Sequence, residues 1–132
     1  MSRRPLQSVL YVDDEPDIRE VVEMSLALAG DLAVESCGSG EQALALLATK
    51  RPDLVLLDVM MPGLDGPGTL ARMRADAGLA GIPVVFLTAK ALPAEIQRFL
   101  SLGAVAIIPK PFDALRLAEQ VQAIWDGLPD AG

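Results

Sequence analysis

A parallel α/β sheet is the fold this sequence predicts, on three observations. Five short apolar runs, Val9 to Val12, Leu32 to Ser36, Leu54 to Leu57, Val84 to Leu87 and Ala104 to Ile108, recur at similar intervals. They show no in/out alternation, which suits strands covered on both faces, as parallel strands are. The segments between them have helical length and period, so strand and helix alternate throughout, the pattern of a parallel sheet with right-handed crossovers.

Each helix has its own signals. After the first strand, Ile18, Val21, Val22, Ser25, Leu26 and Ala29 form one apolar stripe, with Gly30 as a C-terminal stop. The second helix begins near Ser39, where Ser39 and Gln42 have capping-box spacing, and carries Ala43, Leu44 and Leu47 before Pro52. A third starts near Pro67 after Gly66 and presents Leu70 and Met73. Pro93 opens the fourth, with Ile96, Phe99 and Leu100 on one side and Gly103 after its end. Asp113 is positioned to cap the fifth, whose Leu117, Val121, Ile124 and Trp125 reach Gly127.

Composition narrows the function. The 132 residues fit one domain with one ordinary core, and 52% apolar content excludes disorder from low hydrophobicity. Eleven Lys and Arg against 18 Asp and Glu give a net charge of -7, so neither nucleic acid nor an anionic membrane is an expected partner. No His is present, which removes His bases, His-type zinc sites and a phospho-His on this chain. The single Cys37 cannot form an internal disulfide, and a cytoplasmic, reducing location is expected. No segment approaches a membrane span.

Polar residues recur at one place in four of the five units, just after the apolar strand: Asp13 and Asp14, Asp58, Thr88 and Lys110. Taken singly, each is a plausible cap or turn residue. In an open parallel sheet, however, the crevice beyond the carboxyl ends of the strands is where ligands bind. Three carboxylates gathered there repel one another unless a cation neutralises them, and a hard divalent ion such as Mg²⁺ meets that need. With Lys110 adding fixed positive charge, the set suits phosphoryl transfer. Asp58, alone on its strand, is the candidate nucleophile, whereas Asp13 and Asp14 are paired in the manner of metal ligands.

Four ordered motifs, Tyr11-Val12-Asp13-Asp14-Glu15-Pro16, Leu56 to Gly66 around Asp58, Leu87-Thr88-Ala89 and Lys110-Pro111-Phe112, resemble the receiver domain of two-component response regulators, in particular single-domain chemotaxis-type regulators. The resemblance spans residues 8–127, leaving an N-terminal extension, 1–7, and a C-terminal tail, 128–132. It implies a doubly wound, flavodoxin-like (βα)5 fold with strand order 2-1-3-4-5. It also implies that Asp58 accepts phosphate from a phospho-His on a sensor histidine kinase or His phosphotransfer protein. By the same resemblance Mg²⁺ is held by Asp14, Asp58 and the Met60 carbonyl, with Asp13 acting through water. Lys110 and Thr88, with Ala89 beside it, contact the phosphoryl group, and Lys110-Pro111 is the expected cis peptide.

Two positions depart from the family pattern. Ile107 stands where receivers usually carry a switch aromatic, and Val105 and Ala106 replace a commonly polar pair. Leu100, Val105, Ala106 and Ile107 are therefore expected to form an apolar output surface on the fourth helix, fifth strand and fifth helix, for a downstream protein target or a homodimer. Only seven residues follow Trp125, so a stand-alone switch rather than an enzyme is expected. The alternative is a receiver-like interaction module that works without phosphate. Gly38 to Ala43 also matches a dinucleotide fingerprint, but that reading leaves Asp13, Asp14, Thr88 and Lys110 unexplained. A haloacid-dehalogenase-type phosphatase would need an acid two residues after Asp58, where Met60 stands.

Overall fold

The computed structural model describes residues 4–28 and 32–129. Ala29 and Gly30, expected to end the first helix, and the tail from residue 130 lie outside the described residues. The elements run β1 (Ser8–Val12), α1 (Pro16–Ala27), β2 (Ala33–Cys37), α2 (Gly40–Leu47), β3 (Leu54–Asp58), α3 (Gly66–Ala75), β4 (Val84–Thr88), α4 (Pro93–Ser101), β5 (Ala106–Pro109), a 3-10 turn (Ala114–Arg116) and α5 (Leu117–Asp126). All strand pairs are parallel, in the order β2-β1-β3-β4-β5. This is the doubly wound, flavodoxin-like arrangement.

Strand pleating divides the core into two layers. Leu10, Val12, Val55, Leu57, Val84 and Phe86 meet α2, α3 and α4 on one face. Val9, Tyr11, Leu54, Leu56, Val85 and Leu87 meet α1 and α5 on the other, through Val22, Leu26, Leu117, Val121 and Trp125. Each fully buried Leu or Phe contributes roughly 1.5–3 kcal/mol, so the three central strands anchor the domain. Phe86 and Phe99 stack edge to face at 5.2 Å, fixing α4 on β4.

The sheet edges depart from the expected pattern. On β2, Ala33 and Glu35 are exposed and only Cys37 is buried, because an edge strand has a neighbour on one side. β5 starts at Ala106, so Ala104 and Val105 precede it. The run Val105 to Ile107 is consequently not one patch: Ile107 leans on the α2–α4 layer, while Ala106 packs in the α1–α5 layer. Val21, expected within the buried stripe of α1, is 48% exposed, since only Val22 and Leu26 face the sheet squarely.

Capping also differs in detail. Ser39 accepts from the Gln42 amide at 3.1 Å as its spacing predicts, but Gln42 Oε1 reaches back one residue further, to the Gly38 amide at 2.8 Å. Asp113 caps the 3-10 turn by accepting from the Leu115 amide at 2.9 Å, and not α5 itself. Residues 4–7, read from sequence as an extension, are tied to the domain. Leu6 is buried, the Trp125 indole donates to the Arg4 carbonyl at 2.7 Å, and the Asp53 carboxylate accepts from the Gln7 amide at 2.9 Å and pairs with Arg4. Arg74 Nη1 donates to the Ala80 and Ile82 carbonyls and its Nη2 to the Gly103 carbonyl, joining two loops at the end of the sheet opposite Asp58.

Candidate functional site

The carboxyl ends of β1, β3, β4 and β5 converge as the sequence pattern requires. Asp13 follows β1, and its amide donates to the Cys37 carbonyl at 3.1 Å. Its side chain is wholly buried: Oδ1 accepts from the Glu15 amide at 3.0 Å, while Oδ2 accepts from the Tyr11 hydroxyl at 2.7 Å and from Lys110 Nζ at 3.3 Å. Arg19 Nη1 donates to the Asp13 carbonyl at 2.7 Å, fixing the turn into α1. Asp14 is exposed, and among the described residues its carboxylate has no hydrogen bond or ion pair.

Asp58 closes β3 and is 4% exposed. Its Oδ1 lies 3.1 Å from Lys110 Nζ, so one ammonium bridges Asp58 and Asp13. Burial pushes the Asp58 carboxyl above the usual aspartate range, with Asp13 adding to the rise against the opposing Lys110 and Met60 amide. Burial works against the Lys110 charge, yet Asp58 and Asp13 overcome it and hold the ammonium above its ordinary value. Carboxylate oxygens of Asp13, Asp14 and Asp58 all lie within 4.8 Å of one another. An all-oxygen, all-anionic donor set of this kind fits a hard divalent cation and no soft one.

The backbone around Asp58 depends on Gly66. The Gly66 amide donates to the Val59 carbonyl at 3.0 Å, and a Cβ there would lie 2.6 Å from the Asp58 carbonyl oxygen. Only glycine lets α3 begin this close to the end of β3. Thr88, 2% exposed at the end of β4, accepts from the Lys90 amide at 3.0 Å, and its carbonyl accepts from the Lys110 amide at 2.8 Å. Ala89 is exposed beside it, as is Met60 beyond Asp58. Lys110-Pro111 is a cis peptide. A groove of about 440 Å³, lined by Ile18, Val21, Ala89 and Phe112, opens next to Lys110.

Tyr11 is the site residue that sequence reasoning passed over. It stands in the first motif as one more strand residue; the available signal is its place two before Asp13, on the same face of the strand. The glycine fingerprint at Gly38 to Ala43 has another use: a Cβ at Gly40 would fall 2.8 Å from the Leu64 carbonyl and against Thr69, so the glycine serves the contact between α2 and α3 rather than a phosphate. Of the expected output residues, Leu100 and Val105 are each 37% exposed, and Ile107 is partly buried. No helix among the described residues is long and apolar enough to cross a membrane.

Comparison with known proteins agrees with this geometry. Residues 9–122 match the family model of the response regulator receiver domain. The DNA-binding response regulator MtrA of Mycolicibacterium smegmatis is 41% identical over 118 residues, covering 89% of this chain and 50% of that protein. The response regulator Rre1 of Synechocystis is 40% identical over 106 residues, 80% of this chain and 46% of that protein. The chain thus spans about half the length of the curated relatives it matches. Among solved structures, the chemotaxis response regulator CheY4 of Vibrio cholerae superposes with a TM-score of 0.83 at 30% identity, covering 90% of this chain and 98% of that one. With the sheet order, the clustered carboxylates and the bridging lysine in agreement, the chain belongs to the response regulator receiver domain family of two-component signalling.

Proposed function

We propose that this receiver works in the cytoplasm as a Mg²⁺-dependent phosphoacceptor, taking a phosphoryl group from the phospho-His of a sensor kinase or His phosphotransfer protein onto Asp58. The observation that carries the reading is the Lys110 ammonium set between Asp58 and Asp13, with Asp14 completing the carboxylate cluster. An Asp58 oxygen attacks phosphorus in line; the P–O bond forms as the P–N bond breaks, and the electron pair leaves on the imidazole nitrogen, which takes a proton. Asp14, Asp58 and the Met60 carbonyl would hold the cation, with Asp13 acting through water. When bound, Mg²⁺ supplies positive charge that offsets the repulsion between an anionic carboxylate and an anionic phosphoryl group. Lys110 adds a fixed charge toward the phosphoryl oxygens, and Thr88, released from the Lys90 amide, turns its hydroxyl to them. The groove beside Lys110 offers the phosphohistidine-bearing partner an apolar approach to the site. Autodephosphorylation would return the domain to its resting state.

The test is labelling of the purified chain by acetyl phosphate with and without Mg²⁺. Asp14→Asn and excess chelator are each expected to reduce labelling about 100-fold or more, the scale of losing one strong electrostatic stabiliser. Undiminished labelling in chelator would sink the metal assignment. The alternative, a module that works without phosphate, would be supported if the untreated chain failed to label with Mg²⁺ present.

The output surface would comprise Leu100 on α4, Val105 just before β5 and Ile107 on β5, without Ala106, which packs in the opposite layer. This surface would bind the downstream protein or a second copy of the chain. Val105→Asp is expected to weaken that association at least tenfold in sizing or pull-down experiments on phosphorylated protein, because a carboxylate would be desolvated in the contact. An unchanged profile would place the output surface elsewhere.

A further inference from the structure

We propose that Tyr11 is a positioning residue of the site, holding the Asp13 carboxylate so that Lys110 stays shared with Asp58. The inference rests on the reading of Asp13, Asp14 and Asp58 as a cation site and deepens it. Tyr11 is the one tyrosine of the chain and is wholly buried on β1. A buried phenol must find a partner, and a carbonyl of the sheet is the usual choice. Here the partner is a charged oxygen, Asp13 Oδ2, at 2.7 Å. The same oxygen lies 3.3 Å from Lys110 Nζ, whose other contact is Asp58 Oδ1 at 3.1 Å. The phenol therefore satisfies part of the Asp13 charge that the ammonium would otherwise have to meet alone.

The ring cannot follow Asp13 if the carboxylate turns. It sits in one core layer with Val22, Leu26, Leu87 and Leu117, all fully buried, and close-packed interiors resist such shifts. The other Asp13 oxygen is held by the Glu15 amide, and the Asp13 carbonyl by Arg19, so the Tyr11 hydroxyl completes the immobilisation of this residue. Without it, Asp13 Oδ2 keeps Lys110 as its one donor among the described residues, and two consequences follow. The ammonium is drawn toward Asp13 and away from Asp58, and a cation in the cluster meets a more strongly negative Asp13.

The experiment uses the full chain with its sole tyrosine replaced biosynthetically by 3-fluorotyrosine, and in parallel Tyr11→Phe. In metal-free protein the single ¹⁹F resonance is expected to move on Asp13→Asn, and in the parent chain on addition of Mg²⁺. Tyr11→Phe is expected to bind Mg²⁺ about threefold to tenfold more tightly than the parent, the scale of one typical net hydrogen bond. That gain should vanish in the Asp13→Asn background, as a direct coupling requires. A merely structural tyrosine would lower the melting temperature and leave Mg²⁺ affinity unchanged, and that result overturns the proposal. So does a ¹⁹F resonance indifferent to Asp13→Asn, which decides the matter even if Tyr11→Phe fails to fold. Failure of the parent chain to bind Mg²⁺ at millimolar concentration would overturn the cation reading itself, a result separate from the metal-free resonance.

Discussion

Asp58→Asn is expected to abolish covalent labelling by acetyl phosphate while leaving the fold intact. Asparagine keeps the shape of the side chain and its place at the end of β3, but it lacks the anionic oxygen that would attack phosphorus. No other carboxylate in the cluster is equivalent. Both Asp13 oxygens are taken up by the Glu15 amide, Tyr11 and Lys110, and Asp14 is exposed without the bridging ammonium beside it. Residual acid-stable label in the variant would show that Asp58 is not the acceptor. A second measurement on the same variant follows from electrostatics. Burial and Asp13 raise the Asp58 carboxyl, so the folded state takes up its proton at a higher pH than the unfolded chain does. Metal-free stability must then fall as pH rises from the ordinary aspartate value of about 3.9 through the raised folded value. Asp58→Asn removes that loss. In chelator the variant should melt above the parent at pH 7, and the gap should close as the pH drops toward 4.

Much of this site was legible because the sheet repeats its logic. Asp58 and Thr88 end apolar strands, Asp13, Asp14 and Lys110 follow them, and parallel strands deliver their carboxyl ends to one side of the sheet. What the repeat could not show was which atoms meet within that crevice. The place of Tyr11 two residues before Asp13 is in the sequence, but the contact also depends on the turn that the Glu15 amide and Arg19 impose on Asp13, which has no sequence signature. The edges were less legible for a related reason. Composition alone does not say which strand is outermost, so the half-exposed β2 and the division of Ala106 from Ile107 emerged only with the strand order and the start of β5. Helix ends were readable where a cap acts locally, as at Ser39. They were not where a distant partner supplies the contact, as the Ser25 hydroxyl does for the Ala114 carbonyl.

Lys110→Ala is expected to separate the two roles that one ammonium plays. Toward the phosphoryl group, loss of a positioned charge should slow labelling by acetyl phosphate about 100-fold at saturating Mg²⁺. Toward the resting site, Asp13 and Asp58 would face each other buried and without their shared cation. Removing one member of a buried ionic set costs about 3 kcal/mol, and the 22% exposure of the Lys110 side chain makes this an upper range. The loss should appear in urea unfolding at pH 7 in chelator. Because Asp58 and Asp13 raise the Lys110 pKa against the cost of burial, the stabilisation it gives is complete below the ordinary lysine value of about 10.4. It disappears only as pH rises through the folded value, so this contribution of Lys110 is constant near neutrality. In the variant the Asp58 carboxyl is left to burial and Asp13, so metal-free stability should fall more steeply between pH 4 and 8 than in the parent. Mg²⁺ should bind the variant slightly more tightly and restore most of the lost stability by mass action, while labelling stays slow. A variant that is as stable as the parent in chelator would show that Lys110 does not neutralise the carboxylates at rest. One that labels at the parental rate would remove it from the phosphoryl chemistry.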